Sequence, residues 1–222
     1  MDMVSEMEKK LVPYGKLVLL GAGRLGARVF ERIIMTHRGG FSRVAVVDGG
    51  TIEENDYYHL LMGALPKENK ASFLKRRFLT PDTRYKDIEA LPFDFSDQFD
   101  LLKDASVVIS TIAGGDTIPI VAAVGKFCVE SGIPFITTNG VFGFGDEDVK
   151  VCIPLAAVTE GPALFLKDYD FPQKSFITAF VGTGKLIKDG LPIASIILDK
   201  IADAISIQAL KFHHRRKSGR LY

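Results

Sequence analysis

The segment GAGRLG sets Gly21, Gly23 and Gly26 at the spacing G-x-G-x-x-G, directly after the apolar run Lys16 to Leu20 and directly before residues of helical period. In such a turn the first glycine permits the sharp bend, the second lets a phosphate approach the backbone, and the third lets helix and strand pack closely. An anion held at a helix N-terminus is the expected ligand. Asp48 closes the next β-branched run, where an acidic residue accepts hydrogen bonds from ribose hydroxyls. These four residues suit NAD and ATP equally. Two cations bear on the difference: Arg24 lies inside the glycine loop, and Lys70, in PKENKASF, stands at the start of a helix. Nucleotidyl transfer has to neutralise charge spread over the α-phosphate and the departing pyrophosphate, whereas hydride transfer has no such need.

The elements that must position these residues follow from the hydrophobic pattern. Lys16 to Leu20 reads as a strand buried on both faces, and Leu25, Val29, Ile33 and Ile34 recur at helical spacing until HRGGF breaks the helix. Val44 to Val47 then completes a βαβ unit that stops at Asp48. A long polar connection leads to a helix over about 70–78, a length at a strand end that suits a binding loop. Ala105 to Ile112 reads as a strand, Thr117 to Ser131 as a helix, IPFITTNGVFGF as a strand with its exit loop, VKVCIPL as a further strand, and a long helix follows Pro192. The alternation predicts an α/β fold with a Rossmann-like, doubly wound, mostly parallel sheet, whose ligands sit outside the carboxyl ends of the strands. We read a single domain over 1–222, with a core at 16–151, a strand and helix region at 152–212 and a solvated basic tail at 213–222.

Bulk properties exclude several functions. With 28 Lys and Arg against 27 Asp and Glu the formal charge is +1, which supplies no field for steering nucleic acid. The leader MDMVSEMEKKLVPYG has no uninterrupted apolar core, and the apolar stretch Leu191 to Leu210 is broken by Asp199, Lys200 and Asp203. A soluble, cytoplasmic protein with no nucleic-acid or membrane partner is expected. Cys128 and Cys152 are the only cysteines and form no C-x-x-C pair, so a zinc site is not expected.

Five blocks in order, VLLGAGRLGARVFERI, VAVVDGGTIEENDYYHLL, ENKASFL, ASVVISTIAGGDT and SGIPFITTNGVFGFGDEDVKV, resemble the E1-like adenylating superfamily, the ThiF, MoeB and HesA group that activates carboxylates as acyl-adenylates. The resemblance covers roughly 16–151, and the closing helix region is similar as well. It implies ATP and Mg²⁺ as cofactors, Asp48 as the ribose acid, Lys70 as the triphosphate lysine and Asp56, or the adjacent Asn55, in place of an asparagine of the nucleotide site. His59 stands where the family has a phosphate-contacting arginine, Gly50 replaces a second acid, and Asp116 is the nearest stand-in for the metal-binding aspartate. Arg24, Lys70 and Asp116 are thereby assigned to catalysis, and Tyr57, His59, Asn139 and Phe142 to the acceptor, with Tyr58 and Phe144 as further stacking surface. A homodimer is implied too.

The zinc cysteines of many members are missing, and neither cysteine stands where a thioester-forming nucleophile belongs, so adenylation without thiol transfer is favoured. The chain is most similar to a short, zinc-free branch known from methanogens, which adenylates the carboxylate of guanylylpyridinol during assembly of the iron-guanylylpyridinol cofactor of a hydrogenase. The rival readings are adenylation of a ubiquitin-like sulfur carrier, an NAD(P)-dependent oxidoreductase, and a non-catalytic nucleotide-sensing or scaffold protein.

Overall fold

A computed structural model describes residues 12–79, 85–112 and 114–217. Seven strands form one sheet: β1 (Lys16–Leu20), β2 (Arg43–Val47), β3 (Asp87–Leu91), β4 (Ala105–Ser110), β5 (Phe135–Thr138), β6 (Lys150–Cys152) and β7 (Thr178–Gly182). Their spatial order is β3-β2-β1-β4-β5-β7-β6, parallel except for the final antiparallel pairing of β6 with β7. The helices are α1 (Arg24–Met35), α2 (Tyr57–Leu61), α3 (Lys70–Arg77), α4 (Ile118–Glu130) and α5 (Ser195–Lys217).

Strand β1 shows why the sheet must be covered on both sides. All five of its residues are buried. Leu17 and Leu19 face a core shared with Phe30 and Ile33 of α1 and with Ile201 and Ile205 of α5. Val18 and Leu20 face the opposite core with Val124 and Cys128 of α4. A strand that buries both faces has no polar side to display, which accounts for its unbroken apolar run.

Two strands escaped the sequence reading. β3 lies at the sheet edge with Asp87 and Glu89 exposed and Ile88 buried. Charged residues on an edge strand oppose further strand pairing, and they also mask the apolar pattern. β7 is wholly buried, with Ala179 and Gly182 diluting its β-branched content. The basic segment expected to be a solvated tail from 213 is helical as far as Lys217, because α5 continues through it. Residues 218–222 of that tail, like the leader at 1–11, lie outside the described residues. Among the described residues no helix is long and apolar enough to cross a membrane.

Candidate active site

The chain changes direction across the sheet between β1 and β4, and the exits of β1, β2, β4 and β5 converge there. Doubly wound sheets bind their ligands at this switch point. The glycine loop lies over it, and its three glycines do different things. Gly21 adopts φ +94°, a conformation that L side chains avoid. A Cβ on Gly26 would stand 2.0 Å from the Gly21 carbonyl oxygen and 2.7 Å from Thr111 Oγ1, so only hydrogen fits between helix and loop. A Cβ on Gly23 would meet nothing within 4 Å. That open face, at the N-terminus of α1, is where a phosphate can reach the backbone amides.

Residues outside the motif hold the loop from behind. The Thr111 hydroxyl, one residue beyond β4, donates to the Gly21 carbonyl at 2.9 Å. Asp48 Oδ2 accepts from the Ala22 amide at 2.5 Å, and its Oδ1 accepts from the Gly50 amide at 2.7 Å. Each carboxylate oxygen retains a lone pair for a ribose hydroxyl. Arg28, one turn into α1 and buried, donates to the Arg24 carbonyl at 2.9 Å, to Ser195 Oγ at 2.7 Å and to Asp199 Oδ1 at 3.2 Å. It also lies 3.8 Å from the centroid of the Tyr58 ring. Helix α5 is thereby joined to the cradle.

Lys70 is brought to this place by the cap of its own helix. Asn69 caps α3 by accepting from the Ser72 amide at 2.9 Å, while its Nδ2 donates to the carbonyls of Asp48 at 2.8 Å and Gly50 at 3.1 Å. The helix start is therefore tied to the turn that carries Asp48. The Lys70 ammonium stands 3.1 Å from Asp56 Oδ2, with side-chain exposures of 18% and 10%. Burial pushes the Asp56 carboxyl up. The Glu53 amide and the Lys70 hydrogen bond and charge outweigh that push, so the carboxyl is held below the ordinary carboxylate range.

A cavity of about 540 Å³ opens beside the cradle and runs across the exits of β1, β4 and β5. Gly23 and Arg24 line it at the exit of β1, Thr137, Gly140 and Phe142 at the end of β5 and beyond it, and Phe165, Lys185 and Ile187 from the segments that precede and follow β7. This volume lies within the roughly 300–1,000 Å³ usual for small-molecule sites.

The expected site residues fall into three groups. Gly21, Gly23, Gly26, Arg24, Asp48 and Lys70 gather at the switch point, and Phe142 lines the cavity. Asp116 is exposed just outside the lining, with its carboxylate folded back beside Gly114, which does line it. Tyr57, His59 and Asn139 do not present themselves to an acceptor. Tyr57 is exposed on α2, away from the cavity. His59 is fully buried, so its ring offers no stacking face; its Nε2 donates to the Ala22 carbonyl at 2.9 Å, and Nδ1 has no hydrogen-bond partner among the described residues. Burial holds the His59 imidazole below its ordinary pKa, in keeping with a neutral ring. Asn139 is buried and spends its amide on the Glu160 carbonyl at 2.9 Å and the Ala163 amide at 3.0 Å. It fastens the β5 exit to the cavity wall. Of the stacking surface, Tyr58 is engaged by Glu31 at 2.8 Å and Phe144 is exposed.

Sequence reasoning missed Thr111, Asn69, Arg28 and Lys185. Asn69 had a signal, as a cap residue directly before a helix, and the others had none without the sheet order. Both cysteines are free; Cys128 is buried and its thiol is pushed up to about 12, which leaves it inert at neutral pH.

The chain belongs to the E1-like adenylating family, the class of ATP-dependent adenylyltransferases. It is 35% identical to HcgE from Methanothermobacter marburgensis, solved with guanylylpyridinol and ATP bound, over 93% of this chain and 98% of that one, with a TM-score of 0.84. An uncharacterized protein of Methanocaldococcus jannaschii is 41% identical over 209 residues, 94% of this chain and 80% of that protein. The tRNA N6-threonylcarbamoyladenosine dehydratase TcdA of E. coli, solved with AMP, shares the fold at 18% identity and a TM-score of 0.74, over 97% of this chain and 92% of that one. No model of a known protein family matches the chain.

Proposed function

We propose that the protein adenylates the carboxylate of guanylylpyridinol, a small-molecule acceptor, with ATP. One carboxylate oxygen forms a bond to the α-phosphorus while the bond from that phosphorus to the bridging oxygen breaks, giving an acyl-adenylate and pyrophosphate. The observation that carries this reading is the cavity that continues from the open face of Gly23 to aromatic and aliphatic walls at Phe142 and Phe165. A triphosphate on the cradle and a flat acceptor in the cavity share one junction, at Gly23 and Arg24.

The roles assigned to the residues follow from their surroundings. The glycine loop and Asp48 position the nucleotide, so little entropy is left to lose at the moment of reaction. Arg24 and Lys70 neutralise the charge that builds on the α-phosphate and the leaving pyrophosphate. Asp116 suits Mg²⁺ as a single carboxylate beside the cavity rim: the described residues hold no group of three acidic, His or Cys ligands, and Mg²⁺ is commonly held by one or two carboxylates together with substrate phosphates. When bound there, Mg²⁺ supplies charge neutralisation to the phosphates. We also propose a homodimer, on the strength of the family.

Exchange of labelled pyrophosphate into ATP tests the reading. Exchange that depends on guanylylpyridinol is expected. Exchange driven by a ubiquitin-like carrier in place of guanylylpyridinol, or NAD binding without any exchange, overturns it.

A further inference from the structure

The cavity lining contains two cationic side chains, Arg24 and Lys185, and no acidic one. Neither cation has an ion-pair partner among the described residues. Glu160 is near enough to Lys185 to feel its charge, but the Glu160 carboxylate is held by Lys150 at 2.7 Å. Lys185 is half-buried at the wall of a mostly apolar cavity, and the nearest carboxylate, Glu160, is already engaged by Lys150. Such a group calls for an anion from the ligand.

Arg24 is adjacent to the phosphate cradle, and Lys185 is not. Lys185 follows β7, and its backbone stands against Gly140 at the exit of β5. In the strand order β1-β4-β5-β7 those exits lie two to three spacings from β1, about 10 to 14 Å away. A carboxylate attacking a phosphorus on the glycine loop has to be at the Arg24 end. The anion that meets Lys185 is therefore a different one.

We infer that Lys185 is a specificity-determining residue that binds a second anionic group on the acceptor, phosphate ester in class, across the cavity from the carboxylate that is adenylated. Phe142, Phe165 and Ile187 enclose the flat apolar body between the two charges. Acceptors with a single negative charge are then poor substrates, because they forgo the charge-assisted contact with Lys185. The inference rests on the proposed acceptor.

Its test compares guanylylpyridinol with the same pyridinol carboxylate lacking the guanylyl phosphate, in pyrophosphate exchange by the wild type, Lys185→Met and Lys185→Arg. The wild type is expected to favour the phosphate-bearing acceptor in kcat/KM. Lys185→Met should lose that preference by roughly ten- to a hundredfold, through KM, and Lys185→Arg should recover most of it. A melting-temperature rise with ATP in each variant shows that the fold and nucleotide site are present. An unchanged preference in Lys185→Met overturns the inference alone. Equal loss on both acceptors overturns it too and moves Lys185 to the reacting end. Absence of guanylylpyridinol-dependent exchange in the wild type removes the acceptor reading, and the inference falls with it.

Discussion

The pairing of Lys70 with Asp56 makes a simple alanine test of Lys70 misleading, and a double-mutant cycle separates its two effects. At 3.1 Å the two unit charges attract by about 5 kcal/mol at an effective dielectric near 20, before the desolvation of both groups is subtracted. Removing one partner of a deeply buried pair costs roughly 3–5 kcal/mol, because the other charge is stranded. Lys70 keeps some contact with water, so the estimate for Lys70→Met is about 2 kcal/mol, or a fall in Tm of about 4–8 °C for a chain of this length. Asp56→Asn keeps an oxygen for the Glu53 amide and leaves the better hydrated partner unmatched, at about 1 kcal/mol. The double variant should lose about 2 kcal/mol, less than the sum of the two. Kinetics should divide differently. Lys70→Met and the double variant are expected to lose about a hundredfold in turnover, as for a lost transition-state contact. Asp56→Asn should retain turnover and bind ATP more tightly, with one negative charge fewer beside the triphosphate. Urea denaturation gives the stabilities, pyrophosphate exchange the rates and calorimetry the ATP affinity. Additive losses of stability, or wild-type turnover in Lys70→Met, refute this account of the pair.

Gly23→Ala should fold normally, since its methyl group meets nothing, yet weaken ATP binding tenfold or more by filling the approach to the amides; Gly26→Ala should lose about 3 kcal/mol or fail to fold, because its Cβ would lie 2.0 Å from a carbonyl oxygen. Measured side by side by calorimetry and thermal melting, the two alanines must differ in this sense, and equal behaviour contradicts the assigned roles. His59 is held below its ordinary value by burial, so the unfolded chain binds its proton more readily. Stability from this group is complete above about pH 6.5 and declines as pH falls below it. The Tm difference between the wild type and His59→Gln should therefore shrink from pH 7.5 to pH 5, and a constant difference counts against a buried neutral ring.

Much of the architecture was legible because the pattern and the physics coincide. β1, β2, β4 and β5 are mostly buried runs dominated by apolar or β-branched residues, and the glycine motif lies between a strand and a helix, where its spacing has meaning. β3 and β7 were not legible, for opposite reasons: one alternates with acidic residues at an edge, and the other is buried but has only a brief apolar centre, Ala179 to Val181, before Gly182. The site shows the same division. Asp48 and Lys70 are fixed by local features, a strand end and a helix cap. The Asp56–Lys70 pair arises only when the intervening loop folds back through Asn69, which spacing along the chain does not reveal. His59 was assigned to the ligand because position in a motif carries no direction, and in the fold its ring turns inward against the glycine loop. Lys185 follows β7, a strand the pattern concealed, so nothing in the sequence placed it at a strand exit.

Arg28 links residues far apart in the chain: from α1 it grips Ser195 and Asp199 at the start of α5 while bonding the Arg24 carbonyl. During translation the glycine turn emerges early, whereas the residues that anchor Arg28 appear some 170 positions later. A nascent chain halted before Ser195 leaves that guanidinium without its side-chain acceptors and the first turn of α1 unsupported. The support that α5 gives the glycine turn is thus completed only late in synthesis.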